Sequence, residues 1–128
     1  MTGKTLCIDF DGVLHSYTSG WKGADVVSDD PVQGAIPWLN SLVDHGWDVA
    51  IYSSRSGERG GVEAMKKWLI RQGMDPDRVA NRLRFPIEKP AAYLTIDDRA
   101  WRFQGTFPTQ EELENFTPWH KRRYGMLP

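Results

Sequence analysis

The chain has 128 residues, 40% apolar and 26% charged, with a formal net charge of -1 at pH 7. That length suits one domain with a core of its own, needing no disulfide or metal staple, and the near-neutral charge excludes bulk attraction to nucleic acid or anionic membrane. A single cysteine, Cys7, rules out an internal disulfide, so no oxidising compartment is demanded.

In chain order, residues 4–10 form a short apolar run closed by Gly12 and predict a buried strand. The apolar stretch in "MTGKTLCIDFD" is short and ends in acid, which is not the pattern of a signal peptide. No segment has the roughly 20 apolar residues of a membrane span, and a cytoplasmic location is expected. Residues 14–31 are rich in Ser, Gly, Asp and aromatics without a period, and predict a long loop or small hairpin of functional use. Between Val32 and His45, Ile36, Leu39 and Val43 recur at helical spacing, with Gly46 as the stop. "WDVAIY", residues 47–52, predicts a second buried strand, and "SSRSGERGG" a loop. Val62, Met65 and Leu69 mark one face of a helix ending near Gly73. "LRF" at 83–85 and "AYLTI" at 92–96 predict a third and fourth strand, "WRFQG" at 101–105 a fifth, and residues 109–116 a last helix. The tail, about 117–128, is basic and aromatic without a period. No repeat or linker divides the chain, so residues 1–128 are expected to form a single domain.

Strands alternating with helices imply a parallel sheet layered by helices. In such sheets ligands sit beyond the carboxyl ends of the strands. Three of the predicted strands end in polar groups: Asp9 and Asp11, Ser53 and Ser54, Asp97 and Asp98. If those strands are neighbours, the groups converge on one rim. Two like charges about 4 Å apart cost about 1 kcal/mol in water and several times more at a partly buried site. Lys89, just before the fourth strand, supplies one positive charge. A hard cation with oxygen ligands supplies two more, and Mg2+ suits carboxylates, water and phosphate oxygens. The rim therefore predicts a metal-assisted anion site. Backbone N–H groups after Asp9, at Gly12 among others, would cradle an oxyanion. An EF-hand is excluded, because Gly20 stands where its loop needs a closing Glu.

These residues carry a family resemblance. Asp9-Phe10-Asp11-Gly12-Val13 after a hydrophobic strand, a second strand ending in Ser53, then Lys89, then a strand ending in Asp97-Asp98 resemble, in order, the four motifs of the haloacid dehalogenase-like (HAD-like) phosphohydrolase superfamily. The resemblance covers about residues 4–105. It implies a Rossmann-like three-layer α/β domain with a mainly parallel central sheet, and an Mg2+-dependent phosphomonoester hydrolase. Asp9 would attack phosphorus and form an aspartyl-phosphate. Asp11 would protonate the leaving oxygen and then deprotonate the attacking water. The spacing of two turns both side chains to one pocket and Phe10 away from it. Mg2+ would be held by the Asp9 carboxylate, the Asp11 backbone carbonyl and Asp98, with Asp97 orienting Lys89 or a water on the ion. Ser53 and Lys89 would hold the phosphoryl oxygens, with Ser54 in place of Ser53 if the strand ends one residue later.

An acid at position 11 favours phosphate-ester hydrolysis over the dehalogenase and phosphonatase chemistries of the same superfamily. Residues 14–31 offer room for a flap but not for a cap domain, so a cap-less or minimally capped member is expected. In this family an open site goes with large substrates or with closure by a neighbouring subunit. His15, Tyr17, Trp21 and Lys22 in the flap would contact the leaving group, and Trp21 would stack on a base. "IDDRAWRF" and the basic tail are similar to phosphatases acting on nucleotides or polynucleotide ends. The rival readings are phosphoryl transfer between small sugars and a non-catalytic phosphoryl-binding module. Arg55, Arg59 and the Gly60-Gly61 pair would bind phosphate at a helix N-terminus, or else form a turn at a solvated edge. Trp38, Trp47 and Trp68 read as core. Trp119 and the run Lys121-Arg122-Arg123 read as a solvated tail or a partner contact.

Overall fold

The computed structural model describes residues 3–121. Strands β1 (Thr5–Ile8), β2 (Asp48–Ile51), β3 (Leu83–Arg84) and β4 (Leu94–Ile96) form one sheet, all parallel, in the order β3-β2-β1-β4. Helices α1 (Ala35–Asp44), α2 (Gly61–Arg71) and α3 (Pro76–Asn81) occupy the connections, and α4 (Gln110–Glu114) and a 3-10 turn (Trp119–Lys121) follow β4. The central strand β1 thus has β2 on one side and β4 on the other, which brings the carboxyl ends of three strands together.

Alternation along the strands sorts the side chains onto two faces. Leu6 and Ile8 of β1 lie level with Val49 and Ile51 of β2, and Leu83 of β3 is level with Val49. All five join one core with Leu39, Leu42 and Val43 of α1, Met65, Trp68 and Leu69 of α2, and Val79 of α3. Each such side chain contributes about 1.5–3 kcal/mol on full burial, and this face carries the domain. The opposite face is different in kind. Thr5 Oγ1 donates to Asp48 at 2.7 Å, and Arg84 donates to both Asp48 oxygens at 2.8 and 2.7 Å. Residues 85–93 must cross from β3 past β2 and β1 to β4, and a helical crossover takes about a dozen residues or more. Lys89 from this connection lines one cleft with Cys7 and Thr95 of the opposite face, and residues 85–93 hold no helix. Three layers were expected; among the described residues the helical layer lies on one face only.

The elements differ from expectation in two further places. Residues 101–105 form no strand, because β4 ends at Ile96 and the chain turns away into a stretch whose residues 99–107 are all exposed. Helix α3 was not anticipated, although Asp75-Pro76 is a recognisable start, with Pro at the first helical position. Residues 14–31 are the expected long loop, closed at its base like a small hairpin by an antiparallel bridge between His15 and Pro31, where the Ser16 N–H donates to the Asp30 carbonyl at 2.9 Å and the Val32 N–H to the Leu14 carbonyl at 2.8 Å. They are stitched to α2 by Trp68 Nε1, which donates to the Asp29 carbonyl at 2.8 Å, and by Arg71, which donates to the Val27 carbonyl at 2.9 Å. Helix α4 has a complete capping box from Thr109 and Glu112 but buries no residue. Trp38 and Trp47 pack partly against the core, and Trp68 is buried in it. The basic run at Arg122 and Arg123 lies outside the described residues. No helix among the described residues is long and apolar enough to cross a membrane.

Candidate functional site

At the carboxyl ends of β1, β2 and β4 a cleft of about 170 Å3 is lined by Cys7, Asp9, Tyr52, Ser53, Ser54, Lys89, Thr95 and Asp97. Its floor follows from register. Cys7 pairs with Ala50 and with Thr95 across β1, and two residues further along the same face come Asp9 and Asp97. The Asp9 N–H donates to the Ile96 carbonyl at 2.9 Å, which extends the β1–β4 ladder one step and fixes both acids side by side. Asp98 turns the other way and remains close. Asp9, Asp97 and Asp98 each bring one carboxylate oxygen to within 4.8 Å of the others.

That crowding shows in the acids' ionisation. Burial, a hydrogen bond to Asp98 and the charges of Asp97 and Asp98 push the Asp9 pKa up to about 8. Burial also works against ionisation of Asp98, but hydrogen bonds from Asp9 and His120 outweigh it and hold Asp98 below the usual carboxylate range. Asp9 thus keeps a proton at neutral pH and gives it in a hydrogen bond to Asp98. An all-oxygen donor set that must hold a proton to coexist fits a hard divalent cation, which would take that proton's place. Three acidic side chains able to hold a metal ion are therefore part of this rim.

The second acid of the first motif faces elsewhere. The Asp11 carboxylate accepts from Arg55 Nε at 2.9 Å and lies 2.9 Å from His15 Nδ1. The Asp29 N–H points at His15 Nε2 from 3.1 Å, so Nε2 is an acceptor, and the ring proton sits on Nδ1 and is donated to Asp11. Arg55 Nη1 also donates to the carbonyls of Gly23, Ala24 and Val26, at 3.0, 2.9 and 2.9 Å. Both Arg55 and His15 are buried. Nε and Nη1 of Arg55 and both ring nitrogens of His15 are engaged in tying the 14–31 segment to Asp11. Trp21, half exposed, lies on the Arg55 guanidinium with its ring centre 5.0 Å from Cζ. Tyr17 has a left-handed backbone, φ 62°, and burial together with the Asp11 charge pushes its phenol up.

Gly12 shapes the rim by what it lacks. Its φ is +83°, and a Cβ there would stand 2.3 Å from Asp98 Oδ2 and 3.2 Å from His120 Cδ2. Its N–H donates to the His15 carbonyl at 2.8 Å, so it closes the turn after β1 and is not free to cradle an anion. On the β2 side, Ser53 is buried; its Oγ accepts from the Arg55 N–H at 3.1 Å, which leaves its hydroxyl proton to be aimed into the cleft. Ser54 is exposed at the same rim. The Gly60-Gly61 pair belongs to the turn: a Cβ on Gly61 would meet the Arg55 carbonyl oxygen at 1.9 Å, and the Gly61 N–H donates to Glu58.

The structure thus brings Asp9, Ser53, Ser54, Lys89, Asp97 and Asp98 together. It puts Asp11, His15 and Arg55 in a separate buried clasp and Trp21 at its edge. Sequence reading missed Cys7 and Thr95, which the two-residue strand period places on the floor once Asp9 and Asp97 are on the rim. It also missed His120 and Trp119. His120 Nε2 donates to Asp98 Oδ2 at 2.9 Å, and Trp119 Nε1 donates to the Gly12 carbonyl at 2.7 Å. No local signal links either to partners 22 and 107 residues away. Comparisons with family models, curated proteins and solved structures found no match to this chain.

Proposed function

We propose that this chain is a HAD-like phosphatase, an Mg2+-dependent phosphomonoester hydrolase working through an aspartyl-phosphate. The observation that carries the reading is the meeting of Asp9, Ser53, Lys89 and Asp97 in one cleft beyond three adjacent parallel strands. Each is the residue type the resemblance asks for, at a strand end or, for Lys89, in the connection before β4. Asp9 is the nucleophile, on the middle strand and at the centre of the rim. Ser53 and Lys89 flank it and hold the phosphoryl oxygens, a neutral donor on one side and a cation on the other. Asp98 and Asp97 share with Asp9 the task of holding Mg2+. When bound, the ion offsets repulsion between Asp9 and a phosphate dianion. Asp9 must then give up its proton, and Asp98 is already ionised to receive the ion. Asp11, held by Arg55 and His15, is the residue to which the resemblance gives the role of acid and base. The substrate is a phosphorylated molecule reaching an open rim, in which nucleotide and polynucleotide ends are the classes proposed, and a neighbouring subunit is a further way to close it.

One observation favours the second reading, a non-catalytic phosphoryl-binding module: the Asp11 carboxylate is engaged by Arg55 and His15 rather than turned to the cleft. Hydrolysis of a generic aryl phosphate separates the two. The phosphatase reading expects release of phosphate with Mg2+, none with EDTA, and loss of activity in Asp9→Asn. Binding of phosphate without turnover would support the module. Transfer to a sugar acceptor in place of free phosphate would support the phosphotransferase.

A further inference from the structure

We infer that His120 is a positioning residue for Asp98, and that the C-terminal turn at Trp119–Lys121 completes the acidic rim. This rests on the reading of that rim as a divalent-ion site.

The turn is fastened at two points, one on each loop that builds the rim. Trp119 Nε1 holds the Gly12 carbonyl at 2.7 Å, on the loop after β1, and His120 Nε2 holds Asp98 Oδ2 at 2.9 Å, on the loop after β4. The two hydrogen-bonded side chains are sheltered, Asp98 with 6% and His120 with 12% of its side chain exposed. The packing is tight enough that Gly12 has no room for a Cβ between Asp98 and His120. The path to this turn is otherwise loosely held: residues 109–115 are all exposed, and α4 buries nothing. The chain thus returns from an exposed excursion to make directed contacts at the rim. A carboxylate with one oxygen fixed by a ring N–H has a set orientation, and its remaining lone pairs stay aimed at Asp9. Outer partners of this kind typically contribute about 10–100-fold to metal affinity.

The test is binding of Mn2+, another hard oxygen-seeking ion, to the full chain without substrate, read as free Mn2+ by electron paramagnetic resonance. His120→Ala is expected to weaken binding about 10–100-fold. His120→Gln, which restores an N–H donor near the Nε2 position, is expected to recover most of that loss. Wild-type affinity in His120→Ala, or a Gln variant as weak as Ala, overturns the inference while leaving the metal reading intact. Failure of the wild-type chain itself to bind Mn2+ overturns both. Should His120→Ala fail to fold, Trp119→Phe reads the same attachment by removing only the donor to Gly12: weakened binding is expected, and unchanged binding overturns the inference.

Discussion

Arg55 and Asp11, 44 residues apart in sequence, are joined by a hydrogen-bonded ion pair of 2.9 Å, and the same guanidinium gathers three carbonyls of the 14–31 segment. One side chain therefore fixes the loop after β1, the loop after β2 and the long connection to α1 against one another. Removing one partner of a buried pair leaves the other charge uncompensated, at about 3–5 kcal/mol. Arg55→Ala is expected to lower the stability by that amount in urea unfolding. Arg55→Lys is expected to be nearly as damaging, since an ammonium cannot span Asp11 and three carbonyls. A neutral Arg55→Ala would mean that the clasp is not structural.

Trp68 tests the other seam of the same segment. Trp68→Phe keeps most of the packing in the core and removes the donor to the Asp29 carbonyl. A loss of about 1 kcal/mol is expected, with faster proteolytic cleavage within residues 14–31. Unchanged cleavage would show that the segment is held without that bond.

Gly12 and Gly73 make a matched pair. Both have positive φ, +83° and +106°, but a Cβ on Gly73 meets nothing within 4 Å whereas one on Gly12 meets Asp98. Gly73→Ala is expected to cost only backbone strain, about 1–3 kcal/mol. Gly12→Ala is expected to cost more and to weaken metal-dependent activity by displacing Asp98. Equal effects on stability and activity would contradict the packing described.

Much of this was legible in the sequence and some was not, for physical reasons. Short apolar runs ending in acid or serine announced β1, β2 and β4, because a parallel strand packed on helices needs apolar residues facing them and a ligand rim needs polar ones at its end. The parallel sense of the sheet followed from the alternation with helices, whereas its order, β3-β2-β1-β4, is read from the structure. What failed was whatever depends on long-range choice. Arg55 looks like any loop arginine until Asp11 is seen beside it. "WRFQG" has strand composition, yet no strand beside β4 pairs with it. His120 sits in a tail without periodicity, and only the fold brings it to Asp98.

The metal-free protein should respond to pH through Asp9. Its folded pKa is about 8 against about 4 in the unfolded chain. Between those values the folded state holds a proton that the unfolded state has released, so stability falls as pH rises through that window. Asp98, shifted down, contributes the opposite slope, with stability lost only as pH falls below the ordinary carboxylate range. Urea midpoints in EDTA should therefore drop from about pH 5 to about pH 8, and Asp9→Asn should remove that component. Mg2+ binding near neutral pH should release close to one proton, seen as a buffer-dependent heat in calorimetry. Identical pH profiles for wild type and Asp9→Asn would contradict the shift.

The central claim is that Asp9 becomes phosphorylated. Its most direct test is to acid-quench the protein during incubation with an aryl phosphate and Mg2+, reduce with borohydride and locate the product by mass spectrometry. The account predicts homoserine at position 9, formed from the aspartyl-phosphate and absent when EDTA replaces Mg2+. Turnover with Asp9 unmodified, or with the label on another residue, would contradict it.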